Sequence, residues 1–245
     1  MKERFDFEVN GLNICAEFCR EDIENVFLPL LKHLTELQRE KKHRIAAFLA
    51  APPAAGKSTL CCLLEKLSRE IPGLTPVQCV GIDGFHYPQA YLDSHFIDRG
   101  GEQIPLARIK GAPESYDVSK LRGLMKNIGM DGQRWPKYDR RIHDPVENAV
   151  EIREDILIVE GNWLLLDEAP WKDLECDFSV FLRKGSKDQL ERIVQRKMMG
   201  GYDEATARDF VENNDWPNIQ RCMQNSRSGN WTIEINESGL MEVRK

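Results

Sequence analysis

The chain has 245 residues, 41% of them hydrophobic, with a formal net charge of -6. That length and apolar content suit one α/β domain, or a core domain with a small accessory piece, and require no second full domain. The acidic balance offers no broad basic field for nucleic acid, whereas a small anionic nucleotide needs only a local positive pocket. The seven cysteines (Cys15, Cys19, Cys61, Cys62, Cys79, Cys176 and Cys222) form no C-x-x-C pair and are odd in number, which argues against a zinc knuckle or a disulfide framework. Reduced, mostly buried thiols are expected instead. MKERFDFEVN has no apolar signal region, and no run approaches the roughly 18 apolar residues that span a bilayer. No membrane partner and a cytoplasmic location are expected.

In chain order, FDFEV and LNICAEF flank Asn10-Gly11, a dipeptide suited to a type I′ turn, so a β-hairpin opens the protein. Ile23, Val26, Phe27, Leu30, Leu31, Leu34 and Leu37 then recur at helical spacing, with Pro29 a candidate kink and REKKHR a basic close. Residues 1–42 read as an appendage, and 43–245 as the main domain. Within the latter, IAAFLA (45–50), VQCVGI (77–82), ILIV (156–159), FSVFL (178–182) and WTIEI (231–235) alternate with helical or mixed stretches. This rhythm predicts an α/β fold whose parallel five-stranded sheet carries helices on both faces. Residues 84–117, rich in Gly, Pro and polar side chains, read as a long functional loop.

The stretch LAAPPAAGKSTL (49–60) joins the first buried strand to a helix marked by Leu60, Leu63, Leu64 and Leu67. Gly56, Lys57 and Ser58 follow the order of a phosphate-binding P-loop, and strand, loop, helix is the context that motif requires. Ala51 stands where the usual pattern has its first glycine. Every phosphate-handling part lies later: helix N–H groups, the Lys57 charge, and a Ser58 hydroxyl able to ligate Mg²⁺. Ala54, Ala55, Gly56, Lys57, Ser58 and Thr59 are thus the predicted nucleotide cradle, and Ala51 needs only a backbone angle that a β-carbon permits. Two acids stand at the carboxyl ends of other apolar runs, Asp83 after VQCVGI and Glu160 after ILIV. Each can accept a hydroxyl proton or bind Mg²⁺. His86 lies close enough to Asp83 to bind substrate or simply to pack.

DGFHYP (83–88), KGAPESYD (110–117), PKYDRRIHD (136–144), EGNWLLLD (160–167) and ERIVQRKMMGG (191–201) together resemble the phosphoribulokinase/uridine kinase family, in the family's order over residues 45 to about 220. The resemblance implies a P-loop kinase that moves the γ-phosphoryl group of ATP, with Mg²⁺, onto a hydroxyl of a small molecule. It implies Asp83 as the acid that activates the acceptor hydroxyl and Glu160 as the acid beside Mg²⁺. Tyr138 and His143 match the acceptor-site pair of uridine kinases, and Arg192 and Arg196 match lid arginines. The acceptor region then extends over about 84–150 and the lid over about 184–203. Gly200-Gly201 and the N-cap candidate Asp203 suit a hinge there.

Uridine kinases carry an acidic residue where this chain has Lys110-Gly111-Ala112, which is closer to the pantothenate kinase pattern KGxPESYD. The nearest likeness is to short bacterial members described as nucleoside- or sugar-kinase-like. A sugar or nucleoside-like acceptor is therefore expected, with a pantothenate-type vitamin kinase as one alternative. A P-loop ATPase or switch acting on a protein partner is the other. Apart from the acceptor, at most a second copy of the chain, in a homodimer, is expected as partner.

Overall fold

The computed structural model describes every residue except 10–11, 184–187 and 236–237, and leaves the side chains of Val9, Leu12, Asp188, Gln189 and Arg196 outside its description. The expected turn at Asn10-Gly11 therefore lies outside the described residues, as does part of the expected lid. Strands β1 (Lys2–Val9) and β2 (Leu12–Cys19) pair antiparallel. The chain then turns through α1 (Arg20–Asp22) and a π-helical turn (Ile23–Phe27) into α2 (Leu28–Lys41). Pro29 follows directly on the π turn, in which the Leu28 N–H reaches back to Ile23 O, so the helical segment passes its missing N–H through a widened turn at the position of the expected kink.

The main sheet follows: β3 (Ile45–Ala50), α3 (Lys57–Glu70), β4 (Val77–Gly81), and, after the acceptor region, β9 (Ile156–Gly161), β10 (Phe178–Arg183), β11 (Trp231–Ile235) and β12 (Met241–Arg244). Its order is β12-β11-β10-β3-β9-β4. The five expected strands are parallel, and β12 adds an antiparallel sixth on the β11 edge. Between β4 and β9 lie α4 (Gln89–Ser94), the β5 (Phe96–Arg99)–β6 (Glu102–Pro105) hairpin, α5 (Val118–Lys126) and the β7 (Arg134–Asp139)–β8 (Asp144–Glu151) hairpin. After β10 come α6 (Asp188–Met199), α7 (Glu204–Phe210), a π turn (Val211–Asp215) and α8 (Trp216–Asn225).

All six residues of β3 are buried, because alternate side chains serve two cores. Ile45, Ala47 and Leu49 face a cluster with Phe27, Leu30, Leu31 and Leu34 of the first helical segment and Leu60, Leu63 and Leu64 of α3. Ala46, Phe48 and Ala50 face Leu121 of α5 and the indoles of Trp135, Trp163 and Trp171. Trp231 packs with the first cluster, whereas Trp216 is 39% exposed. Phe5, Phe7 and Phe18 of the hairpin pack against the first cluster, so the opening segment covers part of the sheet's own core. The 84–117 stretch is more ordered than its composition suggests: Leu92, Leu106, Ile109 and Ala112 form a small core of their own beneath the β5–β6 hairpin.

The strand order places the P-loop at a switch point. From β3 the chain passes over β9 to reach β4, while β10 pairs on the opposite side of β3. In open α/β sheets the crevice at the carboxyl end of such a strand is where ligands bind.

Candidate active site

The loop between β3 and α3 shows why Ala51 is tolerated. Ala51 has no positive φ and is fully buried, and its N–H donates to Gly161 O at 3.4 Å, so it extends the β3–β9 ladder. The left-handed positions of the loop come later, at Ala54 (φ 58°) and Gly56 (φ 94°). A glycine at 51 has no conformational task to perform here. Gly56 is the N-cap of α3, which leaves the first N–H groups of that helix free for phosphate oxygens. Ala55 is buried, and Ser58 and Thr59 open the helix.

Lys57 is buried, and its Nζ donates to Ala51 O (3.0 Å), Pro52 O (3.1 Å) and Asn162 Oδ1 (2.6 Å). The ammonium is held against the loop carbonyls, ready to exchange them for phosphate oxygens. Asn162 is a partner of the loop lysine that sequence reasoning missed; its signal was its place two residues past Glu160 at a strand end. Ser58 Oγ donates to Glu160 Oε1 at 2.6 Å. Burial pushes the Glu160 carboxyl up, against the pull of Lys57 and the Ser58 hydrogen bond. A hydroxyl and a carboxylate in contact are a hard-oxygen pair that fits Mg²⁺. Among the described residues no group of three or more His, Cys, Asp or Glu side chains gathers at ligand spacing. A Mg²⁺ ion held by Ser58 and Glu160 would have to take its remaining ligands from nucleotide oxygens and water.

Asp83 lies on the other side of this pair, in a 3-10 turn (Ile82–Phe85) that continues β4. Its carboxylate is half exposed and stands 3.6 Å from Arg140. The turn is clamped by the β7–β8 hairpin: Trp135 Nε1 donates to Gly81 O, and a β-carbon on Gly84 would lie 2.2 Å from Pro136 O. Only glycine allows that approach. Asp83, Ser58 and Glu160 border one cavity of about 310 Å³, walled by Cys61, Cys62 and Glu65 of α3, by Lys137 and Tyr138 of β7, and by Arg140 in the turn after it. Glu8 of the opening hairpin also lines it, a contribution not anticipated from a segment read as an appendage.

The expected acceptor residues divide. Tyr138 lines the cavity, and burial pushes its phenol up to about 12, so it meets a ligand as a protonated hydroxyl. His86 does not line it. Its ring stacks on Tyr116 at 3.8 Å and its Nδ1 lies 3.2 Å from Ser115 O, so it packs behind Asp83. His143 is exposed, and what it contributes is its carbonyl, which accepts from Lys110. Arg192 is exposed on α6 and is absent from the cavity lining; the Arg196 side chain lies outside the described residues. Gly201 has φ 99° and the Asp203 carboxylate caps α7 at Thr206 N.

Burial lowers the His86 pKa to about 4 from its ordinary 6.5, although Asp83 pulls the other way. Between those values the unfolded chain binds the extra proton, so the stability due to neutral His86 is complete above about pH 6.5 and is lost as pH falls toward 4. Thermal melts across that window are expected to show a falling Tm that flattens in His86→Gln. An equally steep fall in the variant would assign the acid sensitivity to other groups.

A phosphate cradle at a switch point, a part-buried hydroxyl–carboxylate pair and a second carboxylate facing an open cavity define a P-loop phosphotransferase. No family model matches the chain. It is 41% identical over 239 residues to the uncharacterized protein YggC of Escherichia coli, covering 96% of this chain and 97% of that one. It is 32% identical over 203 residues to the "Putative uridine kinase C227.14" of Schizosaccharomyces pombe, covering 80% of each. Bacillus pantothenate kinases also match, over 51% of their own length. The crystal structure of a "putative fructose transport system kinase" from Silicibacter sp. TM1040 superposes with a TM-score of 0.73 at 28% identity, covering 84% of this chain and 98% of that one.

The chain belongs to the phosphoribulokinase/uridine kinase family of P-loop kinases. It is an ATP-dependent kinase of a small-molecule acceptor, with ATP and Mg²⁺ as its cofactors. Among the described residues no helix is long and apolar enough to cross a membrane.

Proposed function

We propose that the protein phosphorylates a hydroxyl of an uncharged polyhydroxy compound, a sugar or a nucleoside, with Asp83 as the base. The observation that carries this reading is the lining of the cavity. Its carboxylates are Glu8, Glu65, Asp83 and Glu160, while its cations are Lys137 and Arg140, the latter already opposite Asp83. Such a wall offers hydrogen-bond partners to hydroxyls and little compensation for an acceptor phosphate. Two other cations of the region are engaged elsewhere: Arg99 lies 3.6 Å from Glu114, and Lys110 donates to Gln89 and His143 O.

In this reading Asp83 takes the proton of the acceptor hydroxyl as its oxygen attacks the γ-phosphorus. Lys57 and the α3 amides hold the donor phosphates, and Ser58 and Glu160 hold Mg²⁺, which neutralises phosphate charge. Arg192 and Arg196 approach the phosphates when the lid closes. A pantothenate-type acceptor is the second reading, favoured by KGAPESYD. Residues 1–42 are then an accessory piece of a kinase domain at 43–245. The cytoplasm is its proposed place and a homodimer its proposed assembly. No nucleic acid is proposed as partner, in keeping with the net charge of -6.

A coupled ADP-release screen of purified protein across free sugars, nucleosides, pantothenate and phosphosugars tests the proposal. ADP release is expected only with an uncharged polyhydroxy acceptor. A signal confined to phosphosugars would overturn the acceptor class. Release that needs no acceptor and survives in Asp83→Asn would point to an ATPase or switch.

A further inference from the structure

Three segments of the acceptor region meet at one ammonium group. Lys110 Nζ donates to Gln89 Oε1 at 2.9 Å and to His143 O at 2.9 Å, and lies 5.1 Å from the centre of the Tyr138 ring. Gln89 closes the circuit, because its backbone N–H donates to Asp144 Oδ1 at 2.7 Å. The start of α4, the tip of the acceptor loop and the turn between β7 and β8 are thereby joined in one small network. His143 has φ 55°, a left-handed conformation that a residue with a β-carbon adopts only when its surroundings hold it there. The Lys110 bond to its carbonyl is one such hold.

The same residue also ties to the helices that follow the expected lid segment. The Lys110 carbonyl accepts from Asn214 Nδ2 at 3.1 Å, and Asn214 is a buried polar side chain in the π turn between α7 and α8. π turns inside helical segments recur at functional positions, where they re-aim a side chain that a regular helix would carry elsewhere. Next in sequence, the Gly111 carbonyl accepts from Trp163 Nε1 at 2.9 Å, in the segment that follows Glu160.

We propose that Lys110 is a positioning residue for the acceptor: its ammonium holds the 139–144 turn and the Tyr138 ring against the acceptor loop, which fixes the cavity wall opposite Asp83. The inference rests on the kinase reading for its link to the acceptor, but the network itself stands on geometry alone. Two of the three ammonium protons are spent on neutral oxygens, so the group acts through Tyr138 and the turn, without binding an anion. Burial lowers the Lys110 pKa, against the pull of Asp144 and Asp93, a cost that an apolar residue of equal length would not incur. The reaction gains from it because a displacement of about 1 Å in a wall residue can cost about a hundredfold in rate.

The test compares the full-length protein with Lys110→Met, which keeps the stem and loses the donors, and with Gln89→Ala, which removes one acceptor and keeps the lysine. Hydrogen exchange read by mass spectrometry is expected to quicken about tenfold or more in peptides spanning 139–147 in both variants. Exchange in β3 and β9, and the melting shift caused by Mg-ATP, should stay unchanged. With whichever of D-fructose, uridine and pantothenate gives the fastest ADP release, Lys110→Met should raise the acceptor KM about tenfold and move the ATP KM less than twofold. Lys110→Arg, which retains donors, should recover part of the exchange protection. Unchanged exchange at 139–147, or quickening spread evenly over the chain, would overturn the assignment of Lys110. If Mg-ATP does not shift the melting curve of the unmodified protein, the kinase reading and with it the acceptor role fall, while the exchange comparison still decides the network.

Discussion

Asp83→Asn is expected to lower kcat by about two orders of magnitude or more, the usual scale for losing a positioned general base, with the affinity for Mg-ATP nearly unchanged. The separation follows from where the two acids lie. Glu160 is only partly exposed and receives the Ser58 hydroxyl on the phosphate side, whereas Asp83 is half exposed, borders the cavity and faces Arg140. Asparagine preserves the size of the side chain, and the clamp on this turn is made by Gly84, Trp135 and Pro136, so the fold should persist. Steady-state kinetics with the best acceptor from the screen, together with a thermal-shift titration of Mg-ATP, decide the matter. If kcat holds and Mg-ATP binding collapses, Asp83 is a metal ligand and the roles of Asp83 and Glu160 must be exchanged.

Lys57→Ala is expected to reduce turnover by about two to three orders of magnitude, the scale seen when one preorganised donor to developing charge is removed. It should also weaken Mg-ATP binding, which separates it from Asp83→Asn. A second consequence concerns Glu160. The Lys57 charge holds the Glu160 carboxyl down against burial, so its removal lets the carboxyl rise further. The affinity for Mg²⁺ should then fall more steeply as pH decreases in the variant than in the parent, because a protonated carboxyl is a poor ligand. Thermal-shift titrations of Mg-ATP at about pH 6 and 8 measure both effects. A Lys57→Ala protein that binds and turns over like the parent would remove the P-loop from the mechanism. Lys57→Met, which keeps the stem, separates loss of charge from loss of packing.

Much of the molecule was legible in the sequence because it depends on short-range rules. The buried runs 45–50, 156–159 and 178–182 carry their own signal, since a strand covered on both faces needs apolar residues at every position. The heptad-like stripe from Ile23 to Leu34 showed which side of the first helical segment is core. Gly56-Lys57-Ser58 at a strand-to-helix junction fixed the phosphate side, because the cradle is built from consecutive backbone groups. It even predicted that Ala51 would be tolerated, as its non-positive φ shows.

The acceptor side was less legible, for a physical reason. Its wall is assembled from segments far apart in the chain: Glu8 from the first strand, the Ser58–Glu65 face of α3, and β7. No local pattern reports that juxtaposition. His86 and His143 share composition and neighbourhood with Tyr138, which lines the cavity. What keeps them out of that lining is a ring stacked on Tyr116 and a left-handed backbone that turns a carbonyl toward Lys110. By itself the sequence determined the strands, the helix faces, the P-loop and the two strand-end acids, because period and adjacency encode them. Only the tertiary structure decided which acid is buried against Ser58, that Asn162 shares Lys57, that the opening hairpin reaches the cavity, and that Lys110 ties the acceptor loop to Tyr138. Those facts are distances between remote residues, set by how sheet, hairpins and lid helices pack together.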